Sequence, residues 1–465
     1  MPLSQTADQQ RAEAELVQAI RLQNPARVER TTLPDPDVIN QSIGIRALPQ
    51  NRPQGYLRLF PQDFIVEEVS LDGTCVSVNA APAFVSGDDQ RTLWAHLVKT
   101  QLSGPHAIKD LAHGLGIDET AIGYAGIKDA VAITAQEVSL RGVTLEDIAR
   151  LQNQRMWVRP TRYGNGALQA GQLRGNRFTI TVRTESGASD PSALLQETTT
   201  RGFMNYFGPQ RFGMRGIAHH FGRLLLQGDT DGAIKAIICE SGPNDLPLYR
   251  DMRAALESVY GDWDSMMEIA QHFPFTLRDE LQLIQSLAED SRKTIRALSL
   301  IKDQVKMHVS AYSSWLMNNA MSRYSATQQA PDEIPLPFTT KGAPAIYADM
   351  MREEGTLEYA QAMKSFSFLQ LNDKTIPARM KATSMRMQAT DVGYVVRFEL
   401  GKGAYATTCL SQAFKLYEGN PVPTWVQRDD IDALAVLGDG NLEALRKRFG
   451  SELKARDEQR NNEEE

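Results

Sequence analysis

Cysteine is scarce in this chain of 465 residues: Cys75, Cys239 and Cys409 stand far apart in unrelated surroundings. Neither a disulfide framework nor a cysteine zinc site is expected, and the three thiols read as buried groups in a reducing compartment. Long apolar runs are missing too, none approaching the roughly 20 residues that cross a bilayer. The opening MPLSQTADQQRAEAELVQAI has no basic stretch followed by an apolar one, so a secretory leader is not expected and the cytoplasm is the anticipated location. There is no Gly-rich phosphate loop ending in Lys-Ser/Thr, no Gly-x-Gly-x-x-Gly after a strand and no His-Glu-x-x-His. His219 and His220 are adjacent rather than four apart, which does not suit a helical metal site, and no serine sits in a Gly-x-Ser-x-Gly elbow. These absences remove the usual nucleotide, metal and serine-hydrolase classes, and neither metal nor cofactor is expected.

An excess of positive charge is also lacking: 50 Lys and Arg face 57 Asp and Glu, a net charge of -7. Neutralising phosphates requires basic groups, so the whole-chain balance argues against a nucleic-acid partner. The local distribution argues the other way. Arginines 141, 150, 155, 159, 162, 174, 177 and 183 face only Glu146 and Asp147 between positions 141 and 183. Trp157 and Tyr163 interleave with them, as aromatics that stack on unpaired bases would. A solvated basic face has the same composition, and both readings stand on this feature alone.

With 42% hydrophobic residues the chain can bury a substantial core, and its length suits two or three domains. Residues 1–50 read as an extension, with one amphipathic helix at 11–22 and then the Pro-rich LPDPDV and ALPQNRPQG. From Gly55 the pattern alternates in short runs, GYLRLF, DFIVEEVS and TCVSVNA, and RFTITVR at 177–183 is a further strand. A helix is expected over 106–115, after Ser103-Gly104-Pro105. Between 202 and 383 apolar residues recur every three to four positions, and strand character returns at 392–410. The expected fold is therefore α+β, a sheet domain (51–201 and 384–420) interrupted by a helix-rich insertion (202–383), with a C-terminal extension (421–465) ending in an acidic tail.

Asp129 follows Gly-Ile-Lys in a turn, where an aspartate by itself is most often a residue accepting backbone N–H bonds. Its neighbourhood changes that. Ala125-Gly126-Ile127-Lys128-Asp129, followed by Ala132, Thr134 and Gln136, resembles the motif around the catalytic aspartate of the TruD family of tRNA pseudouridine synthases. The likeness extends in order along the chain: Gly55 to Arg58 with Asp63 to Glu68, Leu173 to Phe178, Asn205 to Gly213, Ser310 to Tyr312 with Asn318 and Arg323, and Gly403 to Thr408 as a final strand. The family is commonly basic or polar at the two positions after the aspartate, where this chain has Ala130 and Val131.

The resemblance implies a pseudouridine-synthase-like mixed, mainly antiparallel sheet with an inserted helical domain. It also implies isomerisation of a tRNA uridine, at position 13, by a monomer without cofactor or metal. Asp129 would be the catalytic carboxylate. Such a group must stay ionised in a pocket sealed from water, which requires a cation nearby, and Arg58 occupies the family's basic position. Because the target nucleotide must leave its stack, Phe178 would stack on the uracil while Asn176 orients it. Glu68 and Lys128 would hold the electrostatic arrangement, and Arg155, Arg159, Arg162, Arg174 and Arg177 would line the RNA path. Two other readings are a non-catalytic RNA-binding chaperone on the same scaffold, and a glycosidic hydrolase using Glu67, Glu68 and Asp129.

Overall fold

The computed structural model describes residues 3–80, 82–86, 91–327 and 330–458. The chain divides into a unit of residues 49–203 and 380–465 and a second of residues 1–48 and 204–379. The expected crossings were at 202 and 383.

The first unit is built on ten strands: β1 (Gln54–Leu57), β2 (Phe64–Val69), β3 (Thr92–Thr100), β4 (Ile122–Tyr124), β5 (Ile133–Arg141), β6 (Met156–Gly164), β7 (Gly175–Arg183), β8 (Thr383–Thr390), β9 (Gly393–Gly401) and β10 (Lys415–Glu418). They form one sheet in the order β8-β9-β7-β2-β5-β3-β6, with β4 on β5 and β1 between β7 and β10. The β2–β5 and β1–β10 pairs are parallel. The pairs β3–β5, β3–β6, β2–β7, β7–β9 and β8–β9 are antiparallel, which gives the expected mixed, mainly antiparallel sheet.

Successive strand residues point to opposite sides, so the alternation in the sequence becomes two faces. On the first face Leu93, Ala95, Leu97, Val138 and Leu140 pack beneath the helix Gly104–Leu115. Further across that face, Phe64, Val66, Phe178, Ile180, Phe398 and Leu400 pack with Leu195, Cys409 and Leu410. The second face carries Ile65, Val98, Ile133 and Ala135 beneath Leu434, Leu442, Leu445 and Phe449. The segment beyond 420, expected as an extension, is thus the cover of this second face. The acidic residues 461–465 lie outside the described residues.

Two local expectations change. The run 392–410 is strand only to Gly401; Gly403 turns at φ 87 and Ala406–Leu410 is a helix that buries Cys409 and Leu410. TCVSVNA contributes one isolated bridge, Val69 to Cys75, rather than a strand.

The second unit is helical. Its longest helix, Lys302–Thr327, lies in a core with Leu225, Ile234, Ile237, Leu256 and Leu283. The first 48 residues belong to this unit. The helix Leu3–Gln23 buries Glu13, whose carboxylate accepts from the Phe275 and Thr276 N–H groups at 2.8 and 3.0 Å and from the Thr276 hydroxyl. Arg27 pairs with Asp251 at 3.1 Å, and the fully buried Asn318 amide donates to the Ile43 carbonyl at 2.9 Å. What reads as a linker is held by partners more than two hundred positions away.

Candidate active site

Strand register assembles the site before any loop is considered. Across the first face Lys99 of β3 stands opposite Thr134 of β5, Thr134 opposite Val66 of β2, Val66 opposite Phe178 of β7, and Phe178 opposite Phe398 of β9. The adjacent row holds Leu97 with Gln136, and Glu68 with Asn176 and Leu400. With strands about 4.8 Å apart, the three steps from Lys99 to Phe178 span about 14 Å. Apolar clusters occupy both ends of this face, so the polar side chains of Lys99, Thr134, Gln136, Glu68 and Asn176 form a strip between them.

The segment joining β4 to β5 folds onto that strip and is held there by one side chain from each of three adjacent strands. Gln136 donates to the Gly126 carbonyl at 3.3 Å, Glu68 takes the Lys128 ammonium at 2.6 Å, and Lys99 donates to the Asp129 carbonyl at 2.6 Å. The Glu68–Lys128 pair is sealed, both side chains being 2% exposed, and Glu68 also accepts from the Glu137 N–H at 3.2 Å. The helix Gly104–Leu115 begins against the same segment. A Cβ at Gly104 would come within 2.8 Å of the Ile127 side chain and 3.5 Å of the Lys128 nitrogen, so glycine allows this approach. The N-terminal end of that helix contributes partial positive charge.

Asp129 is half-buried on this segment, and its carboxylate accepts no hydrogen bond among the described residues. Ile127, 69% exposed, and Val131, 39% exposed, flank it with the exposed Ala130. Lys99 is 1% exposed. Burial pushes its ammonium down to about 8, Asp129 acts to raise it, and Lys128 lowers it further.

Arg58 follows β1 at φ 58, a left-handed conformation that is strained for arginine. Its guanidinium meets Glu418 at 2.6 Å and lies 3.8 Å above the Phe64 ring. Arg456 supports both partners, bonding Glu418 at 2.9 Å and the Arg58 carbonyl at 3.1 Å. Phe178 touches Phe64 edge-on at 6.4 Å and stacks on Phe398 at 5.5 Å. The buried Asn176 Oδ1 and Thr134 Oγ1 have no hydrogen-bond partner among the described residues.

Glu68, Lys128, Asp129, Asn176 and Phe178 therefore share one face of β2, β5 and β7, and Arg58 reaches that face through Phe64. Its ion pair is with Glu418, whereas the cation on the Asp129 main chain is Lys99. The arginines behave differently. Arg159, Arg162 and Arg177 alternate with first-face residues and point to the second face. There Arg159 donates to the Ser77 and Val78 carbonyls, Arg162 meets Glu137 at 2.9 Å, and Arg177 meets Glu399 at 2.9 Å. Arg155 pairs with Glu452 at 3.0 Å, and Arg174, 60% exposed, reaches Glu399 at 3.7 Å. The pleat does not gather these five beside Asp129. Sequence reasoning missed Lys99; the signal was a lone ammonium closing the otherwise apolar alternation of LWAHLVKT. Nothing local pointed to Glu418.

The family model described as tRNA pseudouridine synthase D (TruD) matches residues 43–335. A Methanocaldococcus jannaschii protein named probable tRNA pseudouridine synthase D 1 is 28% identical over 378 residues, covering 77% of this chain and 95% of that protein. The tRNA pseudouridine synthase D of Geotalea daltonii is 27% identical over 401 residues, covering 78% and 96%. The crystal structure of a putative TruD from Methanosarcina mazei has the same fold, with a TM-score of 0.65 at 21% identity over 83% of this chain and 99% of that one. The chain belongs to the tRNA pseudouridine synthase D family.

Proposed function

We propose that the protein isomerises uridine to pseudouridine in tRNA, at position 13, with Asp129 as the group that acts on the ribose. The observation that carries this reading is the Asp129 segment pinned by Lys99, Gln136 and Glu68 over the polar strip that holds Asn176 and borders Phe178.

In the reaction the N1–C1′ bond breaks, the uracil turns, C5 bonds to C1′, and the C5 proton is lost while N1 gains one. Atoms and electrons balance within substrate and water. Asp129 serves by attacking C1′ or by removing the C2′ proton, and either role needs an ionised carboxylate beside the sugar. Phe64 and Phe398 are closed into the core at 1% and 0% exposure, so Phe178, 5% exposed, is the ring of this cluster that an extruded uracil would have to meet, with the Asn176 amide beside it to take the base edge. Glu68 and Lys128 brace the segment, and Arg58 fixes Phe64. Of the five arginines expected on the RNA path, Arg174 and Arg155, with side chains 60% and 49% exposed, are the most open to phosphate. The enzyme works as a monomer in the cytoplasm.

Asp129→Asn tests the assignment. Tritium release from tRNA labelled at uridine C5 should fall by at least about 10²- to 10⁴-fold, the scale of a lost acid–base or nucleophilic group, with melting temperature and tRNA affinity near wild type. Turnover close to wild type would remove Asp129 from the chemistry. Wild-type protein that binds tRNA but releases no tritium would support the non-catalytic RNA-binding reading instead.

A further inference from the structure

We infer that Lys99 is the positioning residue for the reaction, its buried ammonium fixing the Asp129 main chain and setting a positive charge beside the neighbouring carboxylate; this rests on Asp129 being the reacting group. Arg58 is engaged by Glu418, and Lys128 is neutralised by Glu68 in a sealed pair. Lys99 makes no ion pair among the described residues. Its ammonium donates to two carbonyls, Asp129 at 2.6 Å and Leu102 at 2.7 Å. Carbonyl oxygens satisfy the donors but do not cancel the charge, and an ammonium buried to 1% exposure without a counter-charge is unfavourable. The Asp129 carboxylate is the group that offsets it.

The surroundings are shaped for this contact. Thr134 on β5 and Met156 on β6 flank Lys99 in register, and both are neutral. The segment packed on it carries Lys128 and Asp129, with Glu68 of β2 holding Lys128. The first turn of the helix Gly104–Leu115 carries His106, exposed and bonded to the Ser103 hydroxyl. Gln101 adopts φ 49, a conformation glycine accepts readily and glutamine does not, just where the chain turns the Leu102 carbonyl back onto the Lys99 ammonium. A strained residue beside a buried cation is retained where the surrounding structure requires it.

The same burial that places Lys99 lowers its ammonium to about 8, so the wild-type cation is lost as pH rises through that value. An arginine at the same position stays charged. Single-turnover tritium release should therefore be followed across about pH 6 to 9.5 for wild type, Lys99→Met, Lys99→Arg and Asp129→Asn, with tRNA affinity and melting temperature measured alongside. Lys99→Met should slow the chemical step about 100-fold, the scale of one removed electrostatic donor, with tRNA affinity changed less than about threefold. Lys99→Arg should recover most of the rate and lose the wild-type decline above pH 8. Should Lys99→Met fail to fold, the arginine variant carries the test, because an unchanged alkaline decline there would sink the inference. An inactive Asp129→Asn beside Lys99→Met at wild-type rate overturns this inference alone. An active Asp129→Asn overturns the Asp129 reading and this inference with it.

Discussion

The two faces of the ten-stranded sheet are built from alternating residues of the same strands, yet they use charge in opposite ways. On the second face the buried charges are consumed by the fold. Arg183 is fully buried and bidentate to Asp63 at 2.8 Å, with further bonds to the Gln427 and Asp429 carbonyls at 2.7 and 3.0 Å. Arg177 answers Glu399, and Glu67 accepts from the Val78 N–H at 2.9 Å. On the first face the charges hold a single segment. Glu68 and Lys99 both reach from the sheet to residues 128 and 129, whose neighbouring carboxylate is left unbonded. Unpartnered hydroxyls do not distinguish the faces, since Thr134 has one on the first and Thr179 and Thr181 have them on the second. What differs is the destination of the charges: scaffold on one side, the Asp129 segment on the other.

The two faces differ most at their sealed ion pairs, Arg183 with Asp63 and Lys128 with Glu68. Removing one partner of a buried pair leaves a bare charge and destabilises a protein by about 3–5 kcal/mol. Asp63→Ala and Glu68→Ala should both show this in denaturant unfolding. They should part in turnover per folded molecule, unchanged for Asp63→Ala and strongly reduced for Glu68→Ala, because only Glu68 anchors the Asp129 segment. Equal losses of turnover would mean that the faces are not functionally divided.

How much of this was legible in the sequence follows from how far each contact reaches. Period-two alternation already separates Asn176 and Phe178 from Arg177, and Val158 from Arg159. The arginine stretch, read by composition, should have been read by pleat: Arg159, Arg162 and Arg177 fall on the face opposite Asn176 and Phe178. The ordered motifs carried Glu68, Lys128, Asp129, Asn176 and Phe178 together because register preserves their spacing. Arg58 was placed beside Asp129 by analogy, while its partner Glu418 is 360 positions away and no local pattern encodes it. The first 48 residues looked like a linker because Glu13 satisfies Phe275 and Thr276, contacts that exist only after the helical unit forms.

Within the first face, two neighbouring rings should differ in function more than in stability. Phe178 and Phe398 are stacked, and each ring should be worth about 0.5–1.5 kcal/mol of pairing beyond its burial. Phe178→Leu and Phe398→Leu should therefore lower stability by similar amounts. If Phe178 is the ring that meets the uracil, its replacement should also slow tritium release about tenfold, within the range of one lost base stack of about 1–3 kcal/mol. Phe398→Leu should stay within about threefold of wild type on that physical scale. Matching rates for the two variants would assign Phe178 to the core alone.

The paired second-face arginines should matter least. Each phosphate contact steepens the salt dependence of RNA binding, and losing one lowers the slope by about one unit on a logarithmic plot. Arg162 and Arg177 are held by Glu137 and Glu399, so the double change to Arg162→Gln and Arg177→Gln should leave tRNA affinity within about twofold and the slope unaltered. Arg174 shares Glu399 at a longer 3.7 Å and keeps 60% of its side chain exposed, so Arg174→Gln should lower the slope by about one. If the double variant lost the slope and Arg174→Gln kept it, RNA phosphates would be meeting the paired arginines rather than the exposed one, and Arg162 and Arg177 would have to be counted with binding instead of with the scaffold.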